Sequence, residues 1–133
     1  MTTIVSCQSG CKGLTTHEAA KRLAKSKSST AECSKCGKLM SIRIEQEYPA
    51  EKPPKTHIYD VVKVIRLYSD QQSEEQNPPL DPMMFFVHES DANKDYIWPI
   101  YWTKDRKGRW WWGQFPPMIT ADEFLELMGN PKD

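Results

Sequence analysis

All four cysteines of this 133-residue chain lie within its first 36 residues. They form two pairs, Cys7 with Cys11 and Cys33 with Cys36, separated by three and two residues respectively. Thiolates supplied as two such pairs, from two turns of the chain, are a usual ligand set for a tetrahedral zinc ion. The spacing therefore predicts one structural zinc ion per chain, held by all four cysteines.

The second pair gives the stronger indication. Gly37 directly follows Cys36, and a glycine at this position lets the backbone take a positive φ and turn its amides toward the sulfur. This pair resembles the zinc knuckles of zinc ribbons and related four-cysteine fingers, which bind DNA, RNA or protein. The resemblance covers less than a third of the chain and rests on the segment Cys33-Ser34-Lys35-Cys36-Gly37-Lys38.

Two other uses of the cysteines agree less well with the sequence. Disulfides need an oxidising compartment, whereas the first residues lack the basic start and the apolar run of a secretory signal, so a cytoplasmic or other intracellular location is expected. A redox CxxC motif would begin a helix, but Cys33 follows a Lys/Ser tract and Cys36 precedes a strand pattern. Catalytic zinc is disfavoured because four thiolates leave no ligand position for water.

Charge is unevenly distributed, although the chain has 18 basic and 18 acidic residues. Residues 1–40 carry seven basic and two acidic residues, a net charge of +5, and residues 45–95 carry eleven acidic and five basic ones, a net charge of −6. This asymmetry indicates a polyanion partner or a contact between the two parts, with a solvated helix face as the alternative. The candidates for nucleic-acid contact are Lys12, Lys21, Arg22, Lys25, Lys35 and Lys38.

A helix is predicted between the cysteine pairs, where Thr15 and Glu18 have the spacing of a capping box. His17 lies near the first pair, but four cysteines complete the ligand set, so we expect a surface histidine. We expect residues 1–38 to form a four-cysteine zinc module with this short helix. Residues 39–133 are expected to form a separate α+β sheet domain.

The fold class predicted for the chain is α+β, with a mainly antiparallel sheet of about five strands. Residues 39–48 alternate between apolar and polar side chains, and β-branched residues favour a second strand over a helix at 57–68. Residues 83–88 are nearly all apolar, which predicts a central strand buried on both faces. Residues 69–82 contain three prolines and little to bury, which predicts a long surface loop.

Residues 96–115 predict an aromatic β-hairpin, because they hold eight of the fourteen aromatic residues around a polar turn. Pro99 restricts its first arm to an edge or a bulge. Trp111 faces away from its two tryptophan neighbours, so it is the candidate for partner binding, together with Arg106, Lys107 and Arg109. A capping box at Thr120 predicts a C-terminal helix over residues 121–128.

The sequence favours a small non-enzymatic binding protein, since it has no glycine-rich phosphate loop, no HExxH and no GxSxG motif. We expect no membrane span and no small-molecule substrate. The first hypothesis is nucleic-acid binding through the basic zinc module. The second is a protein–protein interaction adaptor or inhibitor that uses the aromatic hairpin and the acidic loops. A metal-dependent hydrolase remains an alternative through His57, Asp60, His88 and Glu89. The oligomeric state is left undetermined.

Overall fold

The structure, a computed structural model, describes residues 2–10, 14–112 and 119–120. This part of the chain contains eight strands and two short helices. The helices are α1 (Thr16–Ser26) and α2 (Asp70–Glu75). The strands in chain order are β1 (Thr2–Cys7), β2 (Ala31–Glu32), β3 (Leu39–Tyr48), β4 (Lys55–Arg66), β5 (Leu80–Glu89), β6 (Lys94–Lys104), β7 (Trp110–Trp112) and β8 (Ile119–Thr120).

The strands form one antiparallel sheet that curves into a half-barrel. Its order is β1-β3-β4-β5-β6-β7, with β2 also paired to β3 and β8 to β6. The sequence predicted about five strands, and β1, β2 and β8 are the ones it missed. Because β1 and β2 both pair with β3, the N-terminal segment shares a sheet with the chain that follows. In the described residues, neither helix has the length and apolar character needed to cross a membrane.

Helix α1 packs on the inner face of the sheet. The Thr15 hydroxyl accepts a hydrogen bond from the backbone N–H of Glu18 at 3.2 Å, which is the cap that the sequence predicted. Three apolar side chains of the helix, Ala19, Ala20 and Leu23, are completely buried. They join a core of alternate strand residues, which includes Met40, Ile42, Ile44, Val61, Val64, Met83, Phe85, Val87, Trp98, Ile100 and Trp102.

The prediction of a long surface loop at residues 69–82 was wrong. Helix α2 starts there with a complete capping box: the Ser69 hydroxyl accepts from the Gln72 N–H, and the Gln72 side chain accepts from the Ser69 N–H. Strand β5 then begins at Leu80. The first helical residue, Asp70, forms ion pairs with Arg66 and Lys21, and Ser73 of the same helix is buried.

Strand β5 is central, as predicted, but the prediction that both its faces are buried was wrong. Met83, Phe85 and Val87 are buried, whereas the side chains between them, Met84 and Phe86, are partly exposed. The alternation follows from the fold, because the core lies on the inner face of the half-barrel, and successive strand residues point to opposite faces. A nearly continuous apolar sequence therefore does not imply burial on both sides here.

The aromatic hairpin is confirmed in its described part, where β6 pairs with β7 across the turn at residues 105–109. Strand β6 also pairs with β5 along its length. In the described residues, β7 pairs with residues 102–104 of β6, and β8 pairs with residues 96–97 of β6. Pro99 lies between these two paired segments. A proline fits this gap because it has no N–H to donate. The helix predicted over residues 121–128, like residues 113–115 of the predicted hairpin, lies outside the described residues.

A buried polar network connects α1 to β4 and β5, and it corrects the prediction that His17 is a surface residue. His17 is only 2% exposed, and its Nε2 lies 2.7 Å from the Oδ2 of Asp81. Arg66 donates to Asp81 through Nε at 3.0 Å and through a terminal nitrogen at 2.9 Å. The His17 ring also stacks on Trp110 with 4.5 Å between centroids.

Asp81 has no exposed surface, yet it is kept ionised. Burial alone would raise the pKa of its carboxyl group, but the hydrogen bonds from His17 and Arg66 outweigh burial and lower the pKa below its ordinary value. A buried carboxylate needs such partners, because an unpaired buried charge is strongly destabilising. The network therefore fixes α1 against two strands of the sheet.

We predict that Asp81→Ala lowers the free energy of unfolding by about 3–5 kcal/mol, because it leaves the Arg66 charge and the His17 ring without their buried acceptor. Urea unfolding at neutral pH measures the loss. The matched control is Asp60→Ala, which removes a half-exposed carboxylate paired with Arg43 and should cost under about 1 kcal/mol. Equal losses in the two variants would show that the Asp81 network does not hold the helix.

Candidate metal centre and basic groove

Three of the four cysteines meet where β1 and β2 join the first residues of β3. Cys7 is the last residue of β1 and pairs with Met40, while Cys33 and Cys36 lie in the turn between β2 and β3. The Sγ atoms of the three cysteines all lie within 4.8 Å of one another, a group that could hold a metal ion. Cys11, the fourth predicted ligand, lies outside the described residues.

The turn that carries Cys33 and Cys36 has the positive φ that the sequence predicted at Gly37. Gly37 adopts a φ of +72°, which a side chain would strain, and its N–H bonds to the carbonyl of Cys33 at 2.9 Å. The N–H of Cys33 in turn bonds to the carbonyl of Lys38 at 2.8 Å. These bonds close the turn, so both sulfurs are placed by a backbone that is already folded.

The three described cysteines are not joined to one another by disulfide bonds. Cys7 Sγ and Cys36 Sγ are 3.0 Å apart, well beyond a disulfide bond of about 2.05 Å. Tetrahedral zinc with Zn–S bonds of about 2.3 Å separates its sulfurs by about 3.8 Å, so only a small outward movement would be needed for ligation. Cys33 is buried, with 3% exposure, and Cys7 and Cys36 are half-buried, which suits a site inside the fold.

A second feature is a basic groove between α1 and the end of β4, with a volume of about 730 Å³. Helix α1 and its C-terminal cap supply four cations to it, and β4 adds Lys63 and Arg66. Only two acidic residues, Glu18 and Asp70, are among the described residues that line it. The four cations from the helix and its C-terminal cap are Lys21, Arg22, Lys25 and Lys27.

The cations of the groove fall into two groups. Lys21 lies 3.3 Å from Glu18 and 3.1 Å from Asp70, and Arg66 lies 2.7 Å from Asp70, so these two are neutralised within the fold. Within the described ranges, no ion pair involves the other four, Arg22, Lys25, Lys27 and Lys63, and the Nε of Arg22 is buried without a hydrogen-bond partner. Among the described residues, the groove therefore keeps more positive than negative charge.

The structure brings together three of the six predicted nucleic-acid-binding residues, Lys21, Arg22 and Lys25, all from α1. Lys35 and Lys38 are exposed, but they lie on the cysteine turn and do not line the groove. Lys12 lies outside the described residues. Lys63 also borders the groove, although its ammonium group lies 5.8 Å from the centroid of the Phe86 ring.

Sequence reasoning missed two residues of this region. Lys27 is one of the seven basic residues of positions 1–40, and it could have been included among the candidates for nucleic-acid contact because it follows Lys25 on the same segment. Arg66 was missed because its buried carboxylate partner, Asp81, is 15 residues away and the helix it faces belongs to another part of the chain. Its second partner, Asp70, is only four residues away and was a local signal.

Trp111, the predicted partner-binding tryptophan, is 52% exposed and lies on the outer face of β7. Trp110 points the other way, against the core. The predicted basic neighbours Arg106, Lys107 and Arg109 are all exposed in the β6–β7 turn. Of these three basic residues, Arg109 is the one with a recorded contact to the Trp111 ring, at 5.2 Å from its centroid.

The residues of the alternative hydrolase hypothesis do not meet at one point. His57 contacts two carboxylates, with Nδ1 2.5 Å from Glu89 Oε2 and Nε2 2.9 Å from Glu51 Oε1. Asp60 instead pairs with Arg43, and His88 with Asp95. Among the described residues, the cysteine group is the only one with metal-ligand geometry. His57 and Glu89 therefore form an ion pair beside buried Tyr59.

The pair makes stability depend on pH. The hydrogen bonds to Glu89 and to Glu51 raise the pKa of His57 above its ordinary value of 6.5. Because the pKa is raised in the folded state, the protonated ring stabilises the fold fully at pH values below the pKa of His57 in the unfolded chain. This contribution is lost as the pH rises through the pKa of His57 in the folded protein. We predict that the stability difference between wild type and His57→Gln is larger at pH 5.5 than at pH 8.5. Urea unfolding at both values tests this, and a difference that grows with pH would contradict it.

Comparison of the chain with models of known protein families, with curated proteins and with solved structures found no match.

Proposed function

We propose that the protein is a non-enzymatic nucleic-acid-binding protein whose N-terminal segment is stabilised by one structural zinc ion. The observation that carries the proposal is the groove in which Arg22, Lys25 and Lys27 form no ion pair with described residues. Cations held in a groove without internal partners attract a polyanion and release its counterions on binding.

The choice of zinc rests on the chemistry of the donor set. Three cysteine sulfurs converge within 4.8 Å, and Cys11 follows Gly10 directly in the sequence, so a fourth thiolate is available. Soft thiolate ligands in tetrahedral number select zinc among the common divalent metals of proteins. Four thiolates fill the coordination shell, which gives the metal a structural role.

The metal centre and the groove are connected through α1. Leu14, Thr15 and Thr16, at the start of the helix, line a small cavity of about 210 Å³ together with Cys7 and Cys33. The following two turns of the helix carry the cations of the groove. Metal binding would therefore fix the first residues of the helix that forms one wall of the groove.

We predict that the purified protein contains one zinc ion per chain and that Cys33→Ser lowers this content to well under one, because it removes a buried thiolate. Elemental analysis of protein prepared without added zinc gives the ratio. Loss of the metal should also lower the melting temperature of the sheet, since β1 and β2 pair with β3. The matched control is Ser34→Ala, which changes an exposed residue between the two ligands and should keep the metal. A metal-free wild type with a folded N-terminal segment would refute the metal centre.

A second prediction tests the groove. Lys25→Glu combined with Lys27→Glu should weaken binding to DNA oligonucleotides of every sequence, because phosphate contacts carry no sequence information. The slope of log affinity against log salt should also flatten, by about 0.7 to 0.9 for each phosphate that the protein no longer neutralises. Fluorescence anisotropy at several salt concentrations measures both quantities.

The control for the groove is an equal change of charge elsewhere. Lys55 and Lys94 are exposed and do not line the groove, so their double replacement by Glu alters net charge by the same amount. If both double variants weaken binding equally, the protein binds through its net charge and the groove is not the site. If the wild type binds no oligonucleotide at low salt, the nucleic-acid function is wrong.

The second candidate function is a protein–protein interaction adaptor or inhibitor that uses the aromatic hairpin. The observation that favours it is the half-exposed Trp111 beside exposed arginines, since tryptophan and arginine dominate binding hot spots. If this function is correct, charge reversal at Lys25 and Lys27 should not change the salt dependence of any oligonucleotide binding. Some of the acidic residues are less available to a partner, because they form ion pairs within the fold, as Glu74 does with Lys104.

A further inference from the structure

The turn between β6 and β7 presents a half-exposed aromatic ring next to a segment that carries three basic residues. Trp111 is 52% exposed, and the tip of the turn carries the exposed side chains of Arg106 and Lys107. The guanidinium of Arg109 lies 5.2 Å from the centroid of the indole ring, and its Nε pairs with Asp105 Oδ2 at 3.1 Å. The positive charge not balanced within the turn therefore comes from Arg106 and Lys107. An exposed indole ring next to basic side chains can stack on a planar ligand while the cations contact its charge.

The ring is held in one orientation by Asp105. The indole N–H of Trp111 donates to Asp105 Oδ2 at 2.6 Å, and the other carboxylate oxygen accepts the backbone N–H groups of Lys107 and Arg109 at 2.9 and 2.8 Å. Gly108, with a φ of +81°, allows the tight turn that makes these bonds. These contacts lower the pKa of Asp105 to about 2, the hydrogen bond from Trp111 being the largest cause, so the carboxylate stays charged at neutral pH.

A fixed ring flanked by cations matches the chemistry of an unpaired nucleotide. The ring offers a face for base stacking, which accepts every base, and the neighbouring cations offer contacts to the phosphates on either side. A protein hot spot would also use tryptophan and arginine, but it is usually surrounded by a rim that excludes water, whereas this ring is half-exposed beside a turn that carries three basic residues. Charge complementarity therefore favours a nucleic acid at this turn.

The basic groove lacks what this turn provides. None of the described residues that line the groove is aromatic, so it can contact phosphates but offers no ring for a base. Helix α2 lies between the two regions: Asp70 at its start pairs with Arg66 and Lys21 of the groove, and Glu74 pairs with Lys104, next to the turn. The turn and the groove are thus separated by one short helix.

We propose that Trp111 is a stacking site for an unpaired base and that the nucleic acid bound by this protein is single-stranded. This inference rests on the proposed nucleic-acid function and adds the class of ligand. Asp105 is a positioning residue in this site, because it holds the indole ring without contacting the base.

The test compares three DNA probes of equal length: a single strand of mixed sequence, a single strand of abasic nucleotides and a blunt duplex. The abasic strand keeps the phosphates and removes the bases, so it isolates stacking from charge. The variants are Trp111→Leu, Trp111→Phe and, as a matched control, Leu67→Ala, which changes an equally exposed apolar residue after β4. Melting temperatures are measured for each variant.

Trp111→Leu should lower the affinity for the mixed single strand by about tenfold, within the range expected for one stacked base. It should leave the affinities for the abasic strand and the duplex unchanged, and Trp111→Phe should restore most of the loss. Because all probes are compared on the same variant, a lowered melting temperature does not obscure the result. Leu67→Ala should bind each probe as the wild type does.

Two results would overturn the proposal. One is a Trp111→Leu variant that binds the mixed strand as tightly as the wild type, while the Lys25 and Lys27 variant binds weakly. That result removes the stacking site and leaves the proposed function intact. The other is an equal loss for the mixed and the abasic strand, which would assign Trp111 to phosphate binding or to the fold. Absence of binding to all three probes by the wild type would refute the proposed function itself.

Discussion

The buried carboxylate of Asp81 connects the elements on which both candidate sites depend. It lies on β5 and accepts hydrogen bonds from His17 of α1 and from Arg66 of β4. A charge without exposed surface persists only when its partners are held in place, so each of the three elements restrains the other two. Helix α1 begins beside the cysteines and carries the cations of the groove, and its position follows from this contact.

The first residues of β3 give the cysteine site its second support. The two residues of β2 pair with β3 just before the turn that carries Cys33 and Cys36, and β1 brings Cys7 to the same place. A two-residue strand is too short to hold a turn by itself. Ligation by thiolates would therefore stabilise the same backbone that the strand pairing places, and the metal and this edge of the sheet would stabilise each other.

The distribution of charge is explained in part by contacts inside the fold. Acidic residues of α2 pair with basic residues of α1 and β6, as in Lys21 with Asp70 and Lys104 with Glu74. The first of these contacts joins the basic residues 1–40 to the acidic residues 45–95. The cations of α1 that lack such partners among the described residues also line the groove, and a polyanion is the partner we propose for them.

Much of the fold was predictable where the deciding interactions are local. The alternation of residues 39–48, the cap formed by Thr15 and the positive φ of Gly37 each depend on neighbours within a few positions, and each is present in the structure. The convergence of three cysteines was predictable for a related reason, because cysteine pairs with this spacing commonly bind one metal ion together. Helix α2 was missed although its capping box is local, because the low apolar content of residues 69–82 indicated a loop.

Tertiary structure alone decided the remaining features. His17 was predicted to be exposed, and it is buried because Asp81, 64 residues away, supplies an acceptor inside the core. The groove required α1 and β4 to pack side by side, and neither sequence segment indicates the other. The physical reason is that burial and charge pairing depend on which elements the sheet brings together, whereas caps, turns and strand alternation are set by neighbouring residues along the chain.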